Sequence, residues 1–415
     1  MRFAPLFHFI SLLAFLLPGL PVSAQAQETA PVAIAIFNMA WAGTVDDFKR
    51  HVEVCSAPEV NWCDSRIKIP RGARHAEPEE EIRANRCREA TAVAAGGFDA
   101  MMMTAPCNAY GKRKHPAKVE TVENYHAKLE GLRATVKNLI QNENVKVIAF
   151  QEVKSREVIE QVLGGFAGQF NVCIAPHDAF QTVAFAWDKS ISSVPSIANN
   201  CLPNPDLAIA EQLRDESVRH RARPGLALRL VINGAPVTFL NIHLKSGCAN
   251  LKTGRGFAGH KLTDSDPACE VLNRQIPIIE EWVENVAKES PRFVLFGDFN
   301  RRIDEEEMAS VVKSEVRTDG TDPVGPNTKD EQGRVKSSYL WQEIADGFPA
   351  MHQVPLAYTE RGCTGLKGLD HIVISDAIQQ LQTRTLGSRK IAVVKKRPQP
   401  IVTTDHCPRV TVLEL

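Results

Sequence analysis

Five short segments of this chain follow or open strand-like apolar runs with groups that could do acid–base and metal chemistry. They are Gln151-Glu152, Asn241-Ile242-His243, Gly297-Asp298-Phe299-Asn300, Leu369-Asp370-His371-Ile372 and Thr404-Asp405-His406-Cys407-Pro408. The apolar run Val147-Ile148-Ala149-Phe150 precedes the first. Each segment sets carboxylate, amide or imidazole groups at the tip of a buried strand. Together they describe a site for cutting phosphoester bonds with a hard metal and two histidines. Such hydrolysis needs a base for water, a cation for the charge on the phosphoryl oxygens, and help for the leaving alkoxide.

The residue types fit those tasks. Carboxylates and amide oxygens without thiolates select Mg²⁺ or Mn²⁺, with Ca²⁺ as a structural alternative. Glu152 and Asp298 are the natural metal-side carboxylates, with Asn38, Asn300 and Asp405 near them. Asn binds a phosphoryl oxygen or a metal without adding negative charge. His243 and His406 are candidates for proton transfer, and Asp370 and Asp405 for supporting an imidazole. Arg223, in Arg221-Ala222-Arg223-Pro224-Gly225, is a candidate phosphate contact. A single Gly-Asp or Asp-His pair is more often a turn or a cap than a catalyst. The weight lies in their joint order. His51, His75, His126, His177, His220, His260 and His352 lack such surroundings and read as surface or structural. Trp41 and Trp187 read as core.

The elements that must hold these groups are short and rich in β-branched and aromatic residues. Strands are predicted at Val32–Phe37, Val145–Phe150, Phe170–Ala175, Thr182–Trp187, Leu226–Ile232, Val237–Leu244, Phe293–Phe296, His371–Ser375, Ile391–Val394 and Arg409–Leu413. Leu129, Leu132, Val136, Leu139 and Ile140 share one face of a helix, and a second runs from Val271 to Val286, with Pro277 opening or kinking it. The pattern predicts an α/β fold, a four-layer sandwich of two packed, mainly antiparallel sheets flanked by helices. One catalytic domain over 27–415 is expected. Residues 44 to about 123 break the rhythm. They carry four cysteines and a helix-prone stretch from Glu79 to Ala95, and read as a helical, disulfide-stapled insertion after the first strand. The charge runs Lys112–His115, Asp304–Glu307 and Lys395–Arg397 read as solvated surface.

The first 26 residues read as a secretory signal peptide. Arg2 is the charge, Phe9 to Leu20 the apolar core, and cleavage falls after Ala24 or Ala26. The alternative, a membrane anchor, is disfavoured because Pro18 and Pro21 interrupt a run short for a span of about 20 residues. The mature chain is therefore expected in the periplasm or medium, as a monomer without a stable membrane anchor. All ten cysteines lie beyond the cleavage site, and an even count in an exported chain predicts disulfides. Zinc is disfavoured, since no Cys-x-x-Cys pair occurs. Connectivity stays open, with Cys248–Cys269, Cys173–Cys201 and Cys363–Cys407 as the pairings considered. The formal net charge is zero, so composition alone guarantees no basic nucleic-acid-binding face.

The motifs resemble the endonuclease/exonuclease/phosphatase superfamily, best known through the pancreatic-type deoxyribonucleases. The resemblance spans nearly all of the mature chain except the insertion. Phe37-Asn38-Met39 looks like the family's first-strand Asn motif and Gln151-Glu152-Val153 like its metal-binding motif. Asn241-Ile242-His243 looks like the first catalytic histidine strand. Gly297-Asp298-Phe299-Asn300 is similar to the Gly-Asp-x-Asn signature, and the segments around Asp370 and His406 to the two C-terminal signatures. The resemblance implies that His243 and His406 are the acid/base pair, that Asp370 assists His406, that Glu152 holds the metal and that Arg223 contacts phosphate. Two departures stand out. Gln181 occupies the place of a Glu that supports the first histidine, and the insertion is extra.

Three function classes follow. The leading one is an exported nuclease acting on DNA or RNA with little sequence preference, because backbone phosphates give affinity without sequence information. The second is the same chemistry on a phospholipid, as in a sphingomyelinase, or on an inositol phosphate. No exposed aromatic cluster favours the lipid, and no dense Lys/Arg cluster the polyphosphate. The third is a secreted binding protein on a catalytically dead scaffold, disfavoured because such a scaffold has no need for all of Glu152, His243, Asp298, Asn300, Asp370 and His406.

Overall fold

A computed structural model describes residue 1 and residues 31–68, 70, 76–110, 121–192, 200–210, 222–249, 253–254, 257–258, 267–308, 340–345, 347–363, 368–395 and 401–415. The signal peptide with its cleavage site, Lys112–His115, His75, His220 and His260 lie outside the described residues. Among those that are described, no helix is long and apolar enough to cross a membrane.

Two mixed sheets pack face to face. The first contains β1 (Val32–Ala42), β2 (Val145–Val153), β3 (Phe170–Ile174) and β4 (Thr182–Asp188). The second contains β5 (Cys201–Asn204), β6 (Gly225–Ile232) and β7 (Ala235–His243). A separate two-residue ribbon pairs β8 (Thr253–Gly254) with β9 (Phe257–Ala258). The second sheet continues with β10 (Phe293–Asp298), β11 (Met351–Gln353) and β13 (Asp370–Ser375). The first is completed by β12 (Leu356–Thr359), β14 (Ser388–Lys390) and β15 (Arg409–Leu413). Strand order is β12-β14-β15-β1-β2-β4-β3 in one sheet and β11-β13-β10-β7-β6-β5 in the other. Most neighbours are antiparallel; β1–β2, β7–β10 and β12–β14 are parallel.

Period-two alternation builds the layers. In β1, Ile34 and Ile36 face the core between the sheets, with Val147, Phe239, Phe296 and Ile372. Ala33, Ala35 and Phe37 face outward, under α4 (Val122–Gln141) and α5 (Arg156–Leu163). The other sheet's outer face is covered by α6 (Pro267–Glu289), the short α7 (Ile303–Glu307) and α8 (Leu340–Ala345). The result is the four-layer α/β sandwich expected from the sequence. Helix α6 runs through Pro277 as one helix.

One strand expectation changes, and three strands of the two sheets were not expected. The segment Ile391–Val394 is not a strand. The ladder lies one step earlier, at Ser388–Lys390, and Ile391 makes a single further bond to Pro408 before the chain leaves. Strands β5, β11 and β12 also escaped the sequence, because three or four residues are too few to show an alternation.

The insertion is helical: α1 (Val45–Ser56), α2 (Pro78–Ala95) and α3 (Phe98–Met102). Thr44 caps α1 in a reciprocal capping box with Asp47. Cys55–Cys107 and Cys63–Cys87 staple it, and it has small apolar clusters of its own. Phe48 of α1 stacks on Tyr125 of α4 at 4.3 Å between centroids, which joins it to the main core. His51 is buried and donates from Nδ1 to the Ala105 carbonyl, a structural role. The other disulfides are Cys173–Cys201, Cys248–Cys269 and Cys363–Cys407, the three pairings considered above.

Candidate active site

The site lies where the ends of the two sheets meet. In the second sheet, β10 runs between β7 and β13. Its last residue, Asp298, pairs with His243 on one side and Asp370 on the other. Three functional residues of distant sequence thus form one row. Gly297 sits beside them with φ of +143°, and a Cβ there would stand 2.0 Å from the Ile242 carbonyl oxygen. Only glycine allows the strands to close at this point.

In the first sheet, Asn38 pairs with Gln151, and the ladder is irregular just beyond, at Glu152. Glu152 and Asn300 both hold left-handed backbone, with φ of +57° and +49°. Such conformations cost about 1–3 kcal/mol each and gather where a side chain must be aimed. The Trp41 backbone N–H donates to Glu152 Oε2 at 3.0 Å. Asn38 Nδ2 donates to Glu152 Oε1 at 3.3 Å and to Asp298 Oδ2 at 3.1 Å, so one amide spans both sheets. Its Oδ1 accepts from the Ala40 N–H at 2.9 Å. Asn38 therefore faces the carboxylates as a donor, and would have to give up that bond to ligate a metal.

Both histidines converge on Asp298. Nε2 of His243 is 3.6 Å from Asp298 Oδ2 and 3.8 Å from Glu152 Oε1, and Nε2 of His406 is 3.8 Å from the same Asp298 oxygen. His406 donates from Nδ1 to Asp370 at 3.0 Å. Lys390 also donates to Asp370, at 3.0 Å, and Arg409 donates to its backbone carbonyl. Asp370, not Asp405, carries the hydrogen bond to the imidazole; Asp405 is exposed beside the cluster.

These contacts set the two imidazoles apart. Burial works against charge on His406, but the charge and hydrogen bond of Asp370, with help from Asp298 and Asp405, raise its pKa to about 10. Burial, then the positive charges of Arg223 and His406, holds His243 well below its ordinary value. One imidazole is cationic and the other neutral across the neutral range. Burial opposes ionisation of Asp370, but His406 and Lys390 outweigh it and hold its carboxyl below the usual range. Burial pushes Asp298 up to about 7, partly opposed by His406, and raises Glu152 with help from Asp405.

Partly exposed Glu152 and buried Asp298 thus form a pair of carboxylates that their surroundings discourage from ionising together. Hard oxygen donors in that condition fit a divalent cation, whose charge would offset theirs. Asp298, Asp370 and His406 also offer ligand atoms within 4.8 Å of one another. Asp370 is the weaker donor of that set, because its oxygens already accept from His406 and Lys390.

Arg223 donates to the backbone carbonyls of His243 and Leu244, and Asn300 donates from Nδ2 to the Leu244 carbonyl at 3.0 Å. Both steady the end of β7 while lying beside the cluster. Gln181, expected to orient His243, does not bond it: Nδ1 of His243 and Oε1 of Gln181 are each buried without a hydrogen-bond partner.

Lys128 and Lys390 escaped the sequence reading. Lys128 is fully buried and donates to the carbonyls of Met39 at 3.0 Å and Thr403 at 2.6 Å, tying the end of β1 to the His406 loop. Its one signal was position: it lies on the apolar face of α4, between Tyr125 and Leu132.

No family model matches the chain, and no curated protein does. Among solved structures it is similar to a truncated Caenorhabditis elegans TDP2, at 14% identity over 71% of this chain and 93% of that one, with a TM-score of 0.38. It is also similar to an endonuclease/exonuclease/phosphatase from Bacteroides vulgatus (13% identity, 69% and 91% covered, TM-score 0.40). A third is a mannosyl-6-phosphatase from Bacteroides thetaiotaomicron (9%, 71% and 95%, 0.42). Similarity at this level says nothing about substrate.

Proposed function

We propose that the protein is a divalent-metal-dependent phosphoesterase of the endonuclease/exonuclease/phosphatase type, and a nuclease of low sequence specificity within that class. The observation that carries this reading is the convergence of His243 and His406 on one Asp298 oxygen, beside Glu152. A Mg²⁺ or Mn²⁺ ion held by Glu152 and Asp298, with Asp405 within reach of its field, would take up charge on the phosphoryl oxygens. Neutral His243 accepts a proton from the attacking water. Cationic His406, held in place by Asp370, stabilises the charge that develops and protonates the leaving alkoxide. Asn300 supplies an N–H group and Arg223 positive charge toward the phosphate, and Asn38 would reach it by exchanging one of its bonds to Glu152 and Asp298.

Export to an oxidising compartment is part of the same proposal, supported by the pairing of all ten cysteines. A monomer is proposed. The test is plasmid relaxation and RNA degradation by the mature protein with Mg²⁺, Mn²⁺, Ca²⁺ or EDTA, with His406→Ala as control. Metal-dependent cutting that disappears in the variant supports the nuclease. Failure to cut either polymer, with turnover of a small phosphoester, would leave the chemistry standing and replace the substrate.

A further inference from the structure

A cavity of about 290 Å³ lies between the insertion and the body of the protein, beside the residues that hold the catalytic cluster. We infer that it is a binding pocket for a second anionic group of the substrate, a phosphate on a hydroxylated moiety, next to the phosphoester to be cleaved. This rests on the phosphoesterase reading and goes further, since it assigns the insertion a task.

Three observations carry it. The first is charge. Arg88 from α2 lines the cavity on the insertion side, and Arg223 and Lys245 on the body side, while none of the described lining residues is acidic. Arg88 is 6% exposed, so its guanidinium is held in the cavity wall away from bulk water. Its Nη1 donates to Asn85 at 3.0 Å, which fixes the side chain along its helix. The second is the orphaned acceptor Oε1 of Gln181, which lines the same cavity and suits a ligand hydroxyl. The third is construction. Tyr110 donates to the Trp41 carbonyl at 2.7 Å, and the Phe180 N–H to the Met102 carbonyl at 2.9 Å, so the insertion is fastened to the body at two points of the rim. Cys63–Cys87 and Cys55–Cys107 put a disulfide in each insertion wall.

The pocket also joins the catalytic cluster. Trp41, which lines it, holds Glu152 through its backbone, and Arg223 holds the carbonyl of His243. A substrate with its scissile phosphate at Asp298 can therefore reach the cavity with the next group along. The volume admits one such group, not a polymer.

The chemistry could come from the phosphorylated end of a nucleic acid or from a small polyol phosphate. Two substrate pairs distinguish them: a thymidine dinucleotide with or without a terminal phosphate, and an inositol bisphosphate against the monophosphate. In at least one pair, kcat/KM is expected to favour the doubly phosphorylated member by on the order of tenfold or more, the size of a charge-assisted contact. Arg88→Met and Lys245→Met should each shrink that ratio, and Arg88→Lys should retain more of it. Calorimetry of the same ligands with His406→Ala reads the pocket without turnover. A binding preference there in a protein that hydrolyses nothing would uphold the pocket and reject the phosphoesterase. Equal handling of both members in both pairs, or a ratio unmoved by Arg88→Met and Lys245→Met, would overturn the pocket and leave the phosphoesterase intact.

Discussion

Gln151 donates to Asn241 at 2.7 Å across the interface between the two sheets, one residue before Glu152 and two before His243. Asn241 also donates to the carbonyls of Phe150 and Ala184, at 3.0 and 2.9 Å, and both amides are fully buried. A buried bond of this kind has one satisfied geometry, so it fixes the register of one sheet against the other. Glu152 and His243 come from different sheets, and this clamp sets their separation. Asn241→Leu is expected to lower stability by about 1–3 kcal/mol, the cost of unpaired buried polar groups. It should also lower kcat, because the metal-side carboxylate and the imidazole lose alignment. Urea unfolding and steady-state kinetics measure both. An unchanged midpoint with full activity would show that the sheets align without it.

Asp370 sets the charge of His406. Asp370→Asn removes the negative charge and keeps the shape, so the His406 pKa should fall from about 10. The imidazolium is lost as pH rises through that pKa, and the alkaline limb of the pH–rate profile should therefore move to lower pH. His243→Ala and His406→Ala should each lose activity by on the order of 10²-fold or more with the fold intact. Near wild-type rates in either would remove the acid/base assignment.

Lys128 is a buried ammonium whose pKa burial lowers to about 7, against the opposing charges of Asp405 and Glu152. Its folded pKa is below the unfolded value of about 10.4, so between them the unfolded chain binds more protons. Its contribution to stability therefore rises with pH from about 7 upward. His406 has the opposite sign, because its raised pKa gives stability that is lost as pH rises from about 6.5 through about 10. The two overlap, and the difference between wild type and Lys128→Met isolates the lysine. That difference should grow in favour of wild type between pH 7 and 9 in urea titrations. A difference independent of pH would mean that Lys128 is charged throughout.

Reduction should destabilise the protein. A disulfide contributes about 2–4 kcal/mol, mainly by restricting the unfolded chain. The insertion has two, with only small apolar clusters of its own, and should loosen first. Limited proteolysis within 44–123 after mild reduction, ahead of any loss of the sandwich, is the expected course. An unchanged Tm with all thiols free would contradict it.

The sequence by itself determined the layers, most of the strands and the identity of the polar groups at the strand ends. Period-two alternation is a local property, and a carboxylate that follows a buried strand is visible wherever the strand lies. The helical insertion was legible for the same reason, as a stretch where alternation stops and cysteines gather. What only the tertiary structure decided is which groups meet. Asp298 stands between His243 and Asp370 because β10 pairs with β7 on one side and β13 on the other, and pairing partners far apart in sequence leave no periodic trace. The residues alone left Asp370 and Asp405 both open as the partner of His406; the family resemblance pointed to Asp370, and the 3.0 Å hydrogen bond runs to that residue. Lys128 and Lys390 were hidden because a lysine is ordinarily a surface residue. Only a folded chain shows that one has been drawn inside to hold two carbonyls and the other to hold a carboxylate.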